Sequence, residues 1–98
     1  MKKTRDVIAN EYPDTPLLFM DPCESFDEAI IGVGEGCGNS PKVVYDYDKV
    51  IEINMQDGMT YDDAVEFFEY NQLGAYVGEY TPIFVTRYDI GKEENESN

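Results

Sequence analysis

The chain contains no histidine, and its two cysteines, Cys23 and Cys37, lie 14 positions apart without a CxxC pair. A structural zinc site needs four ligands, so this set falls short of one. Long apolar runs are missing too: nothing approaches the roughly 18 apolar residues of a transmembrane helix. The amino-terminal MKKTRDVIANEYP carries basic residues but lacks the apolar stretch of a secretory signal. These absences point to a cytosolic chain with reduced thiols, no membrane partner and no cofactor.

Positive charge is the other shortage. Seven Lys and Arg face 21 Asp and Glu, for a net charge of −14, which argues against direct binding to nucleic-acid phosphates or an anionic membrane. The excess is unevenly placed. Outside Glu11 to Asp89, Lys2, Lys3, Arg5 and Lys92 cancel Asp6, Glu93, Glu94 and Glu96, whereas inside it 17 carboxylates face only Lys42, Lys49 and Arg87. Most of those carboxylates must therefore meet solvent, a cation or a basic partner, with repulsion screened over about 8 Å at physiological salt.

What is present suffices for one small core: 98 residues, 42% of them hydrophobic and 13% aromatic. Residues 1–13 read as an N-terminal arm or a short helical turn ending at Pro13. Pro16 opens Leu17-Leu18-Phe19-Met20, an apolar run whose flanking prolines favour a short strand at a sheet edge. A strand over 28–33 follows, the alternative being a helical turn from Ser25 to Ala29 with Ser25 as N-cap and Glu28 at N3. Gly34 to Pro41 reads as a long, mobile hairpin connection, and 42–45 as the next strand.

At Asp46 the period changes. Tyr47, Val50, Ile51 and Met55 recur at helical spacing between Asp46, a good N-cap, and Gly58, a stop, which predicts a helix over 46–57 with Asp48, Glu52 and Gln56 on its wet face. A second helix over 60–73 starts at Thr60, with Asp63 completing a capping box. Tyr61, Ala64, Val65, Phe68 and Gln72 form its inner stripe, Asp62, Glu66 and Glu69 its outer one, and Gly74 its end. Ala75-Tyr76-Val77 reads as extended, Gly78 to Pro82 as a turn, 82–88 as the last strand and 91–98 as a disordered acidic tail. The fold class that follows is α+β, with residues 14–90 a single domain. A small, mainly antiparallel sheet of three or four strands packs against an antiparallel two-helix hairpin.

Tyr45-Asp46-Tyr47-Asp48-Lys49, Gly58-Met59-Thr60, Ala64, Glu66-Phe67, Tyr70-Asn71 and Gly74-Ala75, with Gly78-Glu79 and Thr81-Pro82, resemble a widespread group of small uncharacterised bacteriophage proteins. The resemblance covers roughly Leu17 to Val85, and GAYVGEYTP is its most specific part. It implies a phage protein in the cytoplasm of an infected bacterium, and no chemistry.

Several chemical readings compete for the same residues. Gly32, Gly34, Gly36 and Gly38 suggest a phosphate cradle, but the spacing departs from GxGxxG, Glu35 is negative, and β-formers rather than a helix follow. A loop folding onto a partner through Glu35 stays open. Asp46 to Asp57 begins like an EF-hand loop, yet Val50 and Ile51 stand where an oxygen ligand and the turn glycine belong. Paired carboxylates for hydrolysis need a cleft and unequal tuning, which outer helix faces do not provide. The chain therefore reads as a non-enzyme with no metal site.

As a surface, Asp62 and Glu66 stand about 6 Å apart along a helix, a row of charge that suits a basic groove built for phosphates. Together with Asp48, Glu52 and Glu69 they form the expected partner-binding set. Tyr70, Tyr76 and Tyr80 add a candidate aromatic contact patch, and Asn71 a hydrogen bond that secures the last helical turn. The leading expectation is a nucleic-acid mimic that inhibits a basic, nucleic-acid-binding host defence protein, as an anti-CRISPR or anti-nuclease factor would. The plain alternative for the acidic faces is solubility, and a structural module acting as a homodimer is the second functional reading.

Overall fold

Two side chains begin the two main helices, and both do so by capping. Asp46 Oδ1 accepts the Lys49 N–H at 3.3 Å, and Thr60 Oγ1 accepts the Asp63 N–H at 3.2 Å. Each satisfies a donor that the first helical turn would otherwise leave open. Between the helices Gly58 takes φ +102°, and its N–H closes on the Met55 carbonyl at 2.9 Å. A residue with a Cβ would be strained in that conformation.

The computed structural model describes residues 4–20, 22–73 and 78–88. In chain order they form α1 (Thr4–Glu11), α2 (Cys23–Phe26) running into a 3-10 turn (Asp27–Ala29), β1 (Ile30–Gly36), β2 (Asn39–Asp46), α3 (Tyr47–Gln56) and α4 (Tyr61–Phe67). The chain after α4 widens into a π-helical stretch (Phe68–Leu73), and β3 (Ile83–Val85) is the last element. The class is α+β, with a three-stranded sheet in the order β1-β2-β3.

The sheet is mixed, which corrects the expectation of a mainly antiparallel one. β1 and β2 are antiparallel, but β3 lies parallel to β2, with Val44 opposite Ile83, Tyr45 opposite Phe84 and Asp46 opposite Val85. Parallel neighbours require a crossover of a dozen or more residues, and the segment that holds α3 and α4 is that crossover. The two helices meet at two described points. The Tyr47 ring, at the start of α3, meets Phe68 at 4.9 Å, and Asn54, near its end, donates to Gln72 at 2.9 Å.

Other expectations also shift. The helical turn offered as the alternative near Ser25 is present, but it begins at Cys23 after Pro22, so Ser25 lies inside it rather than capping it, and the strand after it starts at Ile30. The glycine-rich loop is no loop. β1 runs on through Gly36, and only Cys37 and Gly38 separate it from Asn39. Gly38 takes φ +77° there, as a tight turn requires. Pairing of Gly32 with Val44, Gly34 with Lys42 and Gly36 with Asn39 outweighs the entropy that glycines lose in a strand.

Leu17 to Met20 forms no strand. The run is apolar because it covers the core: Leu17 and Phe19 pack against it, and Met20 is buried. A side chain rather than a strand partner anchors the run, since the Met20 N–H donates to the Tyr45 hydroxyl at 2.8 Å. The last strand is likewise shorter than the expected 82–88.

The segment read as an arm or a helical turn is the docked helix α1. Ile8 is its buried residue, Arg5 Nε bonds Asp27 Oδ1 at 3.0 Å, and the Tyr12 hydroxyl donates to Glu35 at 2.7 Å. The core joins Met20, Phe26, Ala29, Val43, Tyr45, Val50, Ile51, Ile53, Ala64 and Phe68. α3 is therefore rotated from the expected stripe, with Ile53 and Asn54 inside and Met55 exposed. Gly74, Ala75, Tyr76, Val77 and the tail lie outside the described residues.

Candidate functional site

The acidic flank is built by helical spacing on two elements held against the core by Val50, Ile51, Ala64 and Phe68. Asp48 on α3 and Asp62 and Glu66 on α4 are exposed, as is Glu69 at the start of the π-helical stretch. None of these four forms an ion pair among the described residues. Glu52 differs. It accepts from Lys49 Nζ at 3.1 Å, and that bond, together with Glu28 close by, raises the Lys49 pKa. Glu52 is therefore partly neutralised from within and turns toward a different set of neighbours.

Tyr47 shows how the remaining carboxylates group. Its hydroxyl is pushed above the usual tyrosine range, first by burial and then by the charges of Glu69, Tyr61 and Asp48. Asp48 from one helix and Glu69 from the next thus act on one point. Asp62 and Glu66 continue the row along the α4 flank at i and i+4. Tyr61, expected on the inner stripe, is 60% exposed beside them because it occupies the first helical position, at the rim of the core. Sequence reasoning missed Tyr47 and Tyr61 as neighbours of the acidic row. The four-residue spacing on each helix was legible, but the packing of one helix on the other was not.

The other candidates separate from this flank. Tyr70 is 79% exposed, Tyr80 is half-buried, and Tyr76 lies outside the described residues. Glu35 sits in β1 and is engaged by Tyr12, so it is not a free loop contact. Asn71, which is exposed, makes the expected helical-turn bond: its Nδ2 donates to the Phe67 carbonyl at 3.2 Å, one turn earlier. Arg5, assigned by sequence to a self-cancelling terminus, instead pairs with Asp27 inside the fold.

Cys23 and Cys37 are free, the first half-buried and the second exposed in the hairpin turn. Among the described residues no group of three or more His, Cys, Asp or Glu side chains could hold a metal ion, and no helix is long and apolar enough to cross a membrane. No protein-family model matches the chain, and neither the curated proteins nor the solved structures contain a match to it.

Proposed function

We propose that the chain is a non-enzymatic acidic phage protein that binds a basic, nucleic-acid-binding host protein, with Asp48, Asp62, Glu66 and Glu69 in place of nucleic-acid phosphates. One observation carries this reading: four exposed carboxylates on adjoining helices, two of which (Asp48 and Glu69) act together on Tyr47, form no ion pair among the described residues. Their mutual repulsion is relieved when a basic surface covers them, and such complementarity governs encounter rate and partner choice. The phage setting and the role against a host defence rest on the sequence resemblance alone.

The test is capture of partners from bacterial lysate at low and high salt, with the wild type and the Asp62→Lys/Glu66→Lys/Glu69→Lys variant. A basic nucleic-acid-binding protein is expected at low salt, with recovery reduced at least about tenfold by high salt or by the three reversals. Recovery of no basic partner, or of partners indifferent to both changes, overturns the reading.

A second reading, a homo-oligomeric assembly module, is favoured by a different observation. Val43, Tyr45 and Phe84 face the helices, so by strand alternation Val44, Ile83 and Val85 face the other side of the sheet, where Ile83 and Val85 remain exposed. Sedimentation at several concentrations separates the two. A dimer that persists in the acidic variant and is lost in Ile83→Lys supports assembly, and a monomer throughout removes it.

A further inference from the structure

A half-open cleft of about 130 Å³ lies between α2, the end of α3 and the π-helical stretch. It has room for one side chain but not for a cofactor or drug-sized ligand, whose sites run to about 300–1,000 Å³. Phe26, Met59 and Phe67 supply apolar walls, Asn54 and Gln72 supply amides, and Asp57 is the one carboxylate in a lining that contains no cation.

The floor is the informative part. Asn54 is 2% exposed, and its Nδ2 donates to Gln72 Oε1 at 2.9 Å. Among the described residues no side-chain polar atom is both dry and without a hydrogen-bond partner. Among the described residues nothing donates to Asn54 Oδ1, so this atom keeps some exposure, and the cleft is the opening that Asn54 lines. An otherwise buried acceptor, a rim carboxylate and aromatic walls together select a planar cation on an aliphatic stem.

We infer that this cleft binds an arginine side chain of a protein partner, with the guanidinium donating to Asn54 Oδ1 and Asp57 and the stem lying against Met59 and Phe67. The site shares none of the carboxylates of the acidic flank, so it stands or falls separately from that proposal.

The test follows the side-chain amide resonances of Asn54 and Gln72 in the full-length chain during titration with N-acetyl-arginine amide. The neutral isostere N-acetyl-citrulline amide and N-acetyl-lysine amide serve as comparisons. Saturable shifts of both resonances are expected with the arginine probe. Affinity should fall about tenfold for citrulline or for Asp57→Asn, which removes a charge-assisted bond. Phe67→Ala should weaken binding about threefold by removing a wall. Resonance dispersion confirms that each variant is folded. Absence of saturable shifts at Asn54 and Gln72, or equal responses to arginine and citrulline, overturns the site, and an equal response to lysine overturns the choice of arginine.

Discussion

Phe68→Ala is expected to cost about 3–5 kcal/mol of folding stability, the range for removing a fully buried aromatic side chain. The ring is 0% exposed and lies at the meeting point of three elements. It stands edge-on to Tyr47 of α3 at 4.9 Å and 84°, and edge-on to Phe84 of β3 at 4.8 Å and 88°. Phe84 in turn lies 5.8 Å from Tyr45 of β2. Edge-to-face geometry adds about 0.5–1.5 kcal/mol per pair beyond area burial. The substitution therefore removes two such contacts and opens a cavity between helices and sheet. A domain of this size has about 5–15 kcal/mol in total, so the loss consumes a large share. Urea denaturation measures it, and Phe67→Ala, next in sequence but 39% exposed, should cost less than about 1 kcal/mol. Equal effects at the two positions would show that the helix packs by the other face.

Tyr45→Phe should cost about 1–3 kcal/mol although it deletes a single oxygen. The Tyr45 ring is fully buried, and its hydroxyl accepts the N–H of Met20, itself 8% exposed. The phenylalanine variant leaves that amide without its acceptor and releases the tie between Met20 and the sheet. Burial also pushes the Tyr45 hydroxyl up to about 12, against the opposing effect of the Met20 bond. The unfolded chain releases this proton near pH 10, while the folded chain holds it until about 12. Between those values the native state binds more protons, so stability falls as pH rises. The contribution of this group is complete below about pH 10 and about 2–3 kcal/mol smaller by pH 12. Denaturation midpoints followed from pH 8 to 12 should show this decline in the wild type and a shallower one in Tyr45→Phe. Parallel slopes would mean that the hydroxyl is solvated.

The residues that sequence reading placed correctly are those whose roles depend on near neighbours. Asp46 and Thr60 cap the helices they precede, Gly58 breaks the chain between them, and Thr81 closes the turn from Gly78 with a 3.1 Å backbone bond. The acidic row at Asp62, Glu66 and Glu69 was legible for the same reason, because helical spacing alone sets it. Tyr61 was misplaced because periodicity assigns a face without marking where the core ends. Glu52 and Asp48 look equivalent by spacing, yet only Glu52 is engaged by Lys49, and only Asp48 acts on Tyr47.

By itself the sequence determined the α+β class, the two capped helices and a carboxylate excess too large for internal pairing. These rest on bonds spanning a few residues and on composition. The tertiary structure decided the rest: the parallel entry of β3 beside β2, the docking of α1 through Arg5 and Asp27, and the tying of Met20 to Tyr45. It also decided which carboxylates stay without a cation and the cleft that opens onto Asn54. Each of these joins residues about 20 or more positions apart, or sets one helix against another. The free energy of such contacts depends on what else is buried, which local pattern does not encode.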